Sequence, residues 1–252
     1  MPVLRSLRGV QRLAAVLLHG VHGLLIVLLR FPSLNADGRQ QRVRWWSAGM
    51  LRRLGITLHL QGRFKPGAKL LVANHVSWLD ILVVHAVCPE ARFVSKAEVR
   101  QWPLVGRLVA AGNTLYLARE RKRDALRVVH QAAEALQAGD TVAVFPEGTT
   151  GPGGTLLPFH ANLLQAAIAS GCAVQPLALR YADRQQPFSA AAQWLGDTTL
   201  AQTLWRLATA DVLQVHLQVL PARGSRHADR RRLAETLAGD IAAVLDAARP
   251  VA

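Results

Sequence analysis

Between Leu13 and Leu29 the chain is apolar almost without interruption, broken only by His19, Gly20, His22 and Gly23. Water does not tolerate such a segment on all sides, so it must meet lipid or the rest of the fold. Arg5, Arg8 and Arg12 precede it and Arg30 follows, and the run is short for a bilayer span. The basic start and apolar run match the first two regions of a signal peptide, but no small-residue cleavage site follows; the chain continues Arg30-Phe31-Pro32. After Pro32 a second helical segment, Asp37 to Leu54, sets Val43, Trp46, Met50, Leu51 and Leu54 on one stripe, with Trp45 beside it and Arg42, Arg44, Arg52 and Arg53 alongside. Indole next to guanidinium suits a lipid headgroup layer. The segment reads as a monotopic anchor or a single span with its basic residues on the cytosolic side. The competing reading is a helical hairpin packed on its own domain.

Beyond residue 55 the periodicity changes to short strand-like runs alternating with helical ones, the pattern of an α/β layer structure. Strands are expected at 56–61, 69–73, 92–95, 114–117, 141–145, 174–180 and 213–220. Helices are clearest at 123–137, where Leu126, Val129, Ala133 and Leu136 share a face before Gly139, and at 229–248. Arg230, Arg231 and Arg232 oppose the dipole at the start of the latter, so a carboxylate or anion is expected beside them. With 252 residues, 51% of them hydrophobic and 18% charged, the chain can bury a large core and is no disordered tail. Thirty Lys and Arg against sixteen Asp and Glu leave a net charge of +14, which attracts phosphate on a membrane, a nucleic acid or a small substrate, or reflects base usage. Without an ordered basic stripe interleaved with stacking aromatics, nucleic acid is the weakest of these. Cys88 and Cys172 have no metal-ligand spacing, so neither a zinc site nor a disulfide framework is expected, and a reducing cytosolic face fits.

Chemistry concentrates at strand ends. Directly after the apolar run Leu70–Ala73 comes Asn74-His75-Val76-Ser77-Trp78-Leu79-Asp80. An imidazole there can take a proton from an alcohol, and a carboxylate on its other nitrogen would fix the tautomer and stabilise the imidazolium. On one continuous helix residues five apart point to different faces, so the pair requires His75 on the turn and Asp80 in the first helical turn. Ser77-x-x-Asp80 is equally a capping pattern, and both readings stay open. Phe145-Pro146-Glu147-Gly148-Thr149-Thr150 also ends a strand and offers a carboxylate, a glycine and hydroxyls to a polar acceptor, or merely makes a turn. Gly112 to Arg119 carries a cation just past a strand; Arg119 can grip phosphate or be a solvated surface arginine.

Taken together, His75-x4-Asp80, the Gly112–Arg119 block, Phe145-Pro146-Glu147-Gly148-Thr149 and Val174-Gln175-Pro176-Leu177 resemble the four ordered motif blocks of the glycerolipid acyltransferases, specifically the 1-acyl-glycerol-3-phosphate acyltransferases. Ser95-Lys96-Ala97-Glu98 and Trp102-Pro103-Leu104-Val105-Gly106 extend the resemblance. It implies an N-terminal two-helix membrane motif over 1–54 joined to an α/β domain with a mixed sheet over 55–252. It also implies acyl transfer from acyl-CoA or acyl carrier protein to the hydroxyl of a lysolipid at the membrane's cytosolic surface, without a further cofactor. By that resemblance His75 and Asp80 are the catalytic pair, and Lys96, Arg119, Pro146, Glu147, Gly148 and Thr149 bind substrate. His75 would act as general base in direct attack on the thioester, since neither cysteine lies in a motif and Ser77 is not in a nucleophile elbow. The acceptor implied first is 1-acyl-glycerol-3-phosphate. Position 150 is Thr where such enzymes commonly carry Arg, and the variant is similar to the lyso-ornithine lipid acyltransferase branch. A thioesterase and a non-catalytic membrane-binding scaffold are the competing functions.

Overall fold

The computed structural model describes residues 2–103, 105–117 and 122–249. Every strand expected from the sequence forms: β1 (Ile56–Gln61), β2 (Lys69–Ala73), β3 (Arg92–Lys96), β4 (Leu115–Leu117), β5 (Thr141–Val144), β6 (Ala173–Asp183) and β7 (Leu213–Val219). They make one seven-stranded sheet in the order β1-β7-β6-β2-β5-β3-β4. The β6–β7 pair is antiparallel and the other pairs are parallel, so the sheet is mixed.

Side-chain alternation on the central strand β2 explains the three layers. Leu71 and Ala73 point to a core shared with α2 (Ala36–Arg53), α3 (Leu79–Val87) and α7 (Leu200–Thr209). Leu70 and Val72 point the other way, to α5 (Lys122–Gln137), α6 (Leu164–Ser170) and α8 (Arg230–Ala247). All five residues of β2 are buried, as a strand covered on both faces must be. The carboxylate expected at the start of α8 is Asp229, which caps the helix by accepting from the N–H groups of Arg231 and Arg232.

α1 (Pro2–Leu29) and α2 form the N-terminal hairpin, and both are tied to the body. Arg5 and Arg12 donate to the carbonyls of Thr209 and Ala210 at 2.8 and 2.7 Å, and Arg8 pairs with Asp211 at 2.7 Å. Met50, Leu51 and Leu54 of the α2 stripe enter the core. Trp46, expected at the headgroup layer, instead turns toward α1: its indole N–H donates to the His19 carbonyl, and His19 Nε2 meets the Trp46 carbonyl at 2.9 Å. Gly23 permits this contact, because a Cβ there would collide with the Trp46 indole.

Where β2 ends, Asn74 continues its pairing with a side chain. The amide donates to the Leu179 carbonyl at 2.9 Å and accepts from the Leu179 N–H at 2.7 Å, two residues beyond the Ala73–Leu177 partners. The chain can therefore leave the sheet and turn toward α3 without stranding β6's polar groups. Asn74→Ala would leave both Leu179 groups buried and unpaired, at a cost of about 2–4 kcal/mol. A lowered denaturant midpoint with unchanged helical circular dichroism is the expected measurement.

Candidate active site

His75 and Asp80 meet. The turn 74–78 ends before α3, whose first turn holds Asp80, and His75 Nδ1 lies 2.8 Å from Asp80 Oδ2. That same oxygen accepts the N–H groups of Val76 at 2.7 Å and Ser77 at 2.9 Å. The dyad and the cap are thus one structure: a single carboxylate oxygen closes the turn and fixes the ring. The Ser77 hydroxyl, the other half of the capping pattern, has no hydrogen-bond partner among the described residues and is fully buried. Because a carboxylate only accepts, Nδ1 carries the hydrogen of this bond, so in the neutral ring the lone pair falls to Nε2. The Asp80 side chain is wholly buried and the His75 side chain is 19% exposed, so the imidazole alone of the pair reaches outward.

Two further contacts hold His75 from other elements. Its ring stacks on Phe145, centroids 3.9 Å apart and planes within 10°. Its backbone N–H donates to Glu147 Oε1 at 2.6 Å, while Leu157 N–H donates to Oε2 at 2.8 Å. Burial pushes the Glu147 carboxyl above the ordinary carboxylate range, opposed by these two N–H donors and by His75. Glu147 is buried, so the residue expected to touch an acceptor has both oxygens engaged inside the protein. Pro146 is buried too, and its carbonyl accepts the His160 N–H at 2.8 Å. Of the block 146–149, Gly148 and Thr149 are the outward part. Gly148 takes φ +70°, a left-handed conformation that favours glycine. Lys96 ends β3, but its side chain, like all of Arg119, lies outside the described residues.

The segment after β6 closes the site. Trp194 N–H donates to the Val76 carbonyl at 3.2 Å, the Thr150 hydroxyl donates to the Trp194 carbonyl, and Gln193 reaches the Pro152 carbonyl at 2.9 Å. An apolar crevice lined by Ile26, Val43, Trp46, His85 and Leu108 lies between the hairpin and α3. Packed rings separate it from His75: Phe93 stacks on Phe145 at 5.5 Å and meets the edge of His85 at 5.2 Å.

Sequence reasoning missed Tyr181, whose hydroxyl donates to Asp80 Oδ1 at 2.7 Å. The alternation of β6 carried the signal: Leu177, Leu179 and Tyr181 fall on the face that looks toward Leu71 and Ala73. Asp80 therefore holds four donors from two parts of the chain, the 75–77 turn and β6. Asp80→Ala would orphan two buried N–H groups and a phenol and should destabilise the fold by about 3–5 kcal/mol, read from denaturant unfolding.

Comparison with known proteins adds a lineage to this geometry. Residues 55–180 match the family described as Acyltransferase. A lyso-ornithine lipid O-acyltransferase of Pseudomonas aeruginosa is 38% identical over 206 residues, covering 81% of this chain and 79% of that protein. A 1-acyl-sn-glycerol-3-phosphate acyltransferase of Neisseria meningitidis is 35% identical, covering 83% and 82%. The crystal structure of the 1-acyl-sn-glycerophosphate acyltransferase from Thermotoga maritima superposes with a TM-score of 0.73 at 20% identity, over 97% of this chain and all of that one.

Proposed function

The chain belongs to the acyltransferase family, and from that premise we propose that it moves a fatty acyl group from a thioester donor, acyl-CoA or acyl carrier protein, to the hydroxyl of a lysolipid. The observation that carries this reading is the His75–Asp80 contact beside an exposed imidazole edge. His75 Nε2 takes the hydroxyl proton as the alcohol oxygen attacks the thioester carbonyl. The tetrahedral intermediate then expels the thiolate, which receives the proton from the imidazolium, leaving an ester and a free thiol. Asp80 holds Nδ1–H and stabilises the imidazolium that forms. Glu147 acts by fixing the His75 peptide and the 157 loop, while Gly148, Thr149, Lys96 and Arg119 are assigned to the substrates.

Two acceptors are in play. 1-Acyl-glycerol-3-phosphate is the first, giving phosphatidic acid. One observation favours lyso-ornithine lipid: Thr150 places no cation beside the site, and its hydroxyl is engaged by the Trp194 carbonyl. A panel of 1-acyl-glycerol-3-phosphate, lyso-ornithine lipid and lysophosphatidylcholine, offered with one acyl-CoA and read by mass spectrometry, separates them. Acyl transfer to one lysolipid is expected, with His75→Ala slowing it about 10³-fold. Equal thiol release without acceptor would make the protein a thioesterase; none in either condition would make it a scaffold.

The membrane reading rests on α1. Val3, Leu4, Leu7, Leu17, Leu18, Leu25 and Leu29 are exposed along it, while Arg5, Arg8 and Arg12 and Gly23 face the protein. A helix bound to the body over this length lies along the surface of one leaflet rather than threading it, with 1–54 as the anchoring motif and 55–252 as the acyltransferase domain on the cytoplasmic side. Leu18→Asp with Leu25→Asp should cut co-flotation with anionic vesicles at least about tenfold while leaving the melting temperature in detergent unchanged, since each buried Leu contributes about 1.5–3 kcal/mol.

A further inference from the structure

Tyr181 has no part in the proton transfer above, yet among the described residues it is the one side chain besides His75 that hydrogen-bonds Asp80. It lies 101 positions downstream, on β6 beside the central strand, and is 2% exposed. Its backbone is fixed by the register with Val215 of β7 and by Ser189 N–H, which donates to its carbonyl at 2.8 Å. Its ring is packed in the core with Leu179 and Val215. The phenol therefore has one place to point, at Oδ1, while His75 and the two backbone N–H groups occupy Oδ2.

We propose that Tyr181 is a positioning residue that sets the proton affinity of His75 by drawing charge from the far oxygen of Asp80. This deepens the reading of His75 as the base and rests on it only for its kinetic consequence. A carboxylate shares its charge between two oxygens, so a donor on Oδ1 weakens the attraction that Oδ2 exerts on an imidazolium. Among the described residues the titratable groups linked to His75 are Asp80 from α3, Glu147 from the segment after β5, and Tyr181 through Asp80. Glu147 keeps the same two N–H partners whatever stands at 181. Burial and the Asp80 charge push the Tyr181 phenol well above its ordinary value, so it remains a neutral donor through the assay range.

The sign follows. Without the hydroxyl, Asp80 holds the imidazolium more strongly, and His75 becomes free base only at higher pH. A stronger donor does the reverse. The test uses the full chain in detergent micelles and two substitutions of opposite effect. Tyr181→Phe keeps the packed ring and removes the donor. The chain has two tyrosines, so 3-fluorotyrosine incorporated in a Tyr116→Phe background sharpens the Tyr181 donor alone. The His75 imidazole is titrated by NMR, its resonance identified by its loss in His75→Ala, and the acid limb of kcat/KM is measured in parallel.

The expected result is a His75 midpoint at least about 0.5 pH unit higher in Tyr181→Phe and lower in the fluorotyrosine protein. One pH unit below the wild-type midpoint, kcat/KM of Tyr181→Phe should fall about threefold, with the acceptor KM unchanged because Tyr181 is buried away from substrate. An unmoved midpoint, or a shift of the same sign in both proteins, overturns the proposal; a purely structural tyrosine would lower the rate at every pH and leave the midpoint in place. Should Tyr181→Phe fail to fold, the fluorotyrosine arm decides, since it retains the hydroxyl. If the imidazole midpoint moves but the acid limb does not, Tyr181 keeps this role and the assignment of His75 as base falls.

Discussion

A single buried carboxylate determines how three parts of this chain meet. Asp80 lies in the first turn of α3, closes the turn that leaves β2, orients the His75 ring and receives the Tyr181 hydroxyl from β6. Burying a carboxylate away from water is costly unless donors replace its hydration. Four donors do so here, and they converge only if β2, α3 and β6 keep this arrangement. The fold and the site are therefore one requirement: the core places β6 beside β2, and the polar groups at their ends would be stranded in any other pairing. Asn74 reinforces the same juncture by extending the β2–β6 ladder with its own amide.

The second carboxylate works in a different way. Glu147 comes off β5, the neighbour of β2 on its other side, and links the His75 peptide to the loop at Leu157. The imidazole is thus held at its ring nitrogen by Asp80, at its backbone by Glu147 and on its face by Phe145. Asp80 follows β2, while Glu147 and Phe145 both follow β5, its parallel neighbour, so two adjacent strand ends that open on one edge supply all three. Such immobilisation lowers the entropic cost of bringing a base to a hydroxyl, which is how a general base gains most over a free imidazole. Within 146–149 only Gly148 and Thr149 are not buried.

The sequence was most informative where a residue's role depends on its neighbours along the chain. Strand alternation and the turn signals located every strand of the sheet, because each is a local pattern answering to a local geometry, whereas in the stripe expected on α5 Leu126 is exposed and Val128 faces the core instead. His75 and Asp80 were legible for the same reason: five residues apart, they meet through one turn. Whether Asp80 capped the helix or served the histidine could not be separated by pattern, and the structure explains why, since one oxygen does both. Contacts across long stretches of chain were not legible. Tyr181 reads as one more strand residue, Glu147 as a motif carboxylate offered to an acceptor, and the basic residues ahead of the apolar run as charges flanking a membrane segment. Arg5 and Arg12 are in fact bonded to carbonyls at the end of α7, about two hundred residues later, which no local spacing encodes. Lys96 and Arg119 were singled out for their charge; their side chains fall outside the described residues.

Those arginines alter what the net charge of the chain means. Guanidinium groups that satisfy the carbonyls ending a helix complement its dipole and hold α1 against the body, so part of the basic excess serves the fold rather than an external anion. The same contacts make α1 a rigid extension of the candidate site. α1 is joined to α2 through His19 and Trp46, α2 enters the core that α3 shares, and α3 carries Asp80. Each link is a packed or hydrogen-bonded contact rather than a flexible tether. Under the function proposed above, an apolar face seated on a leaflet through this chain of contacts would present His75 to the membrane at a fixed depth and angle. A lysolipid hydroxyl, confined near the headgroup plane by its own acyl chain, would then meet the imidazole from a restricted range of directions, so that the restraints on the ring would match the restraints on its substrate.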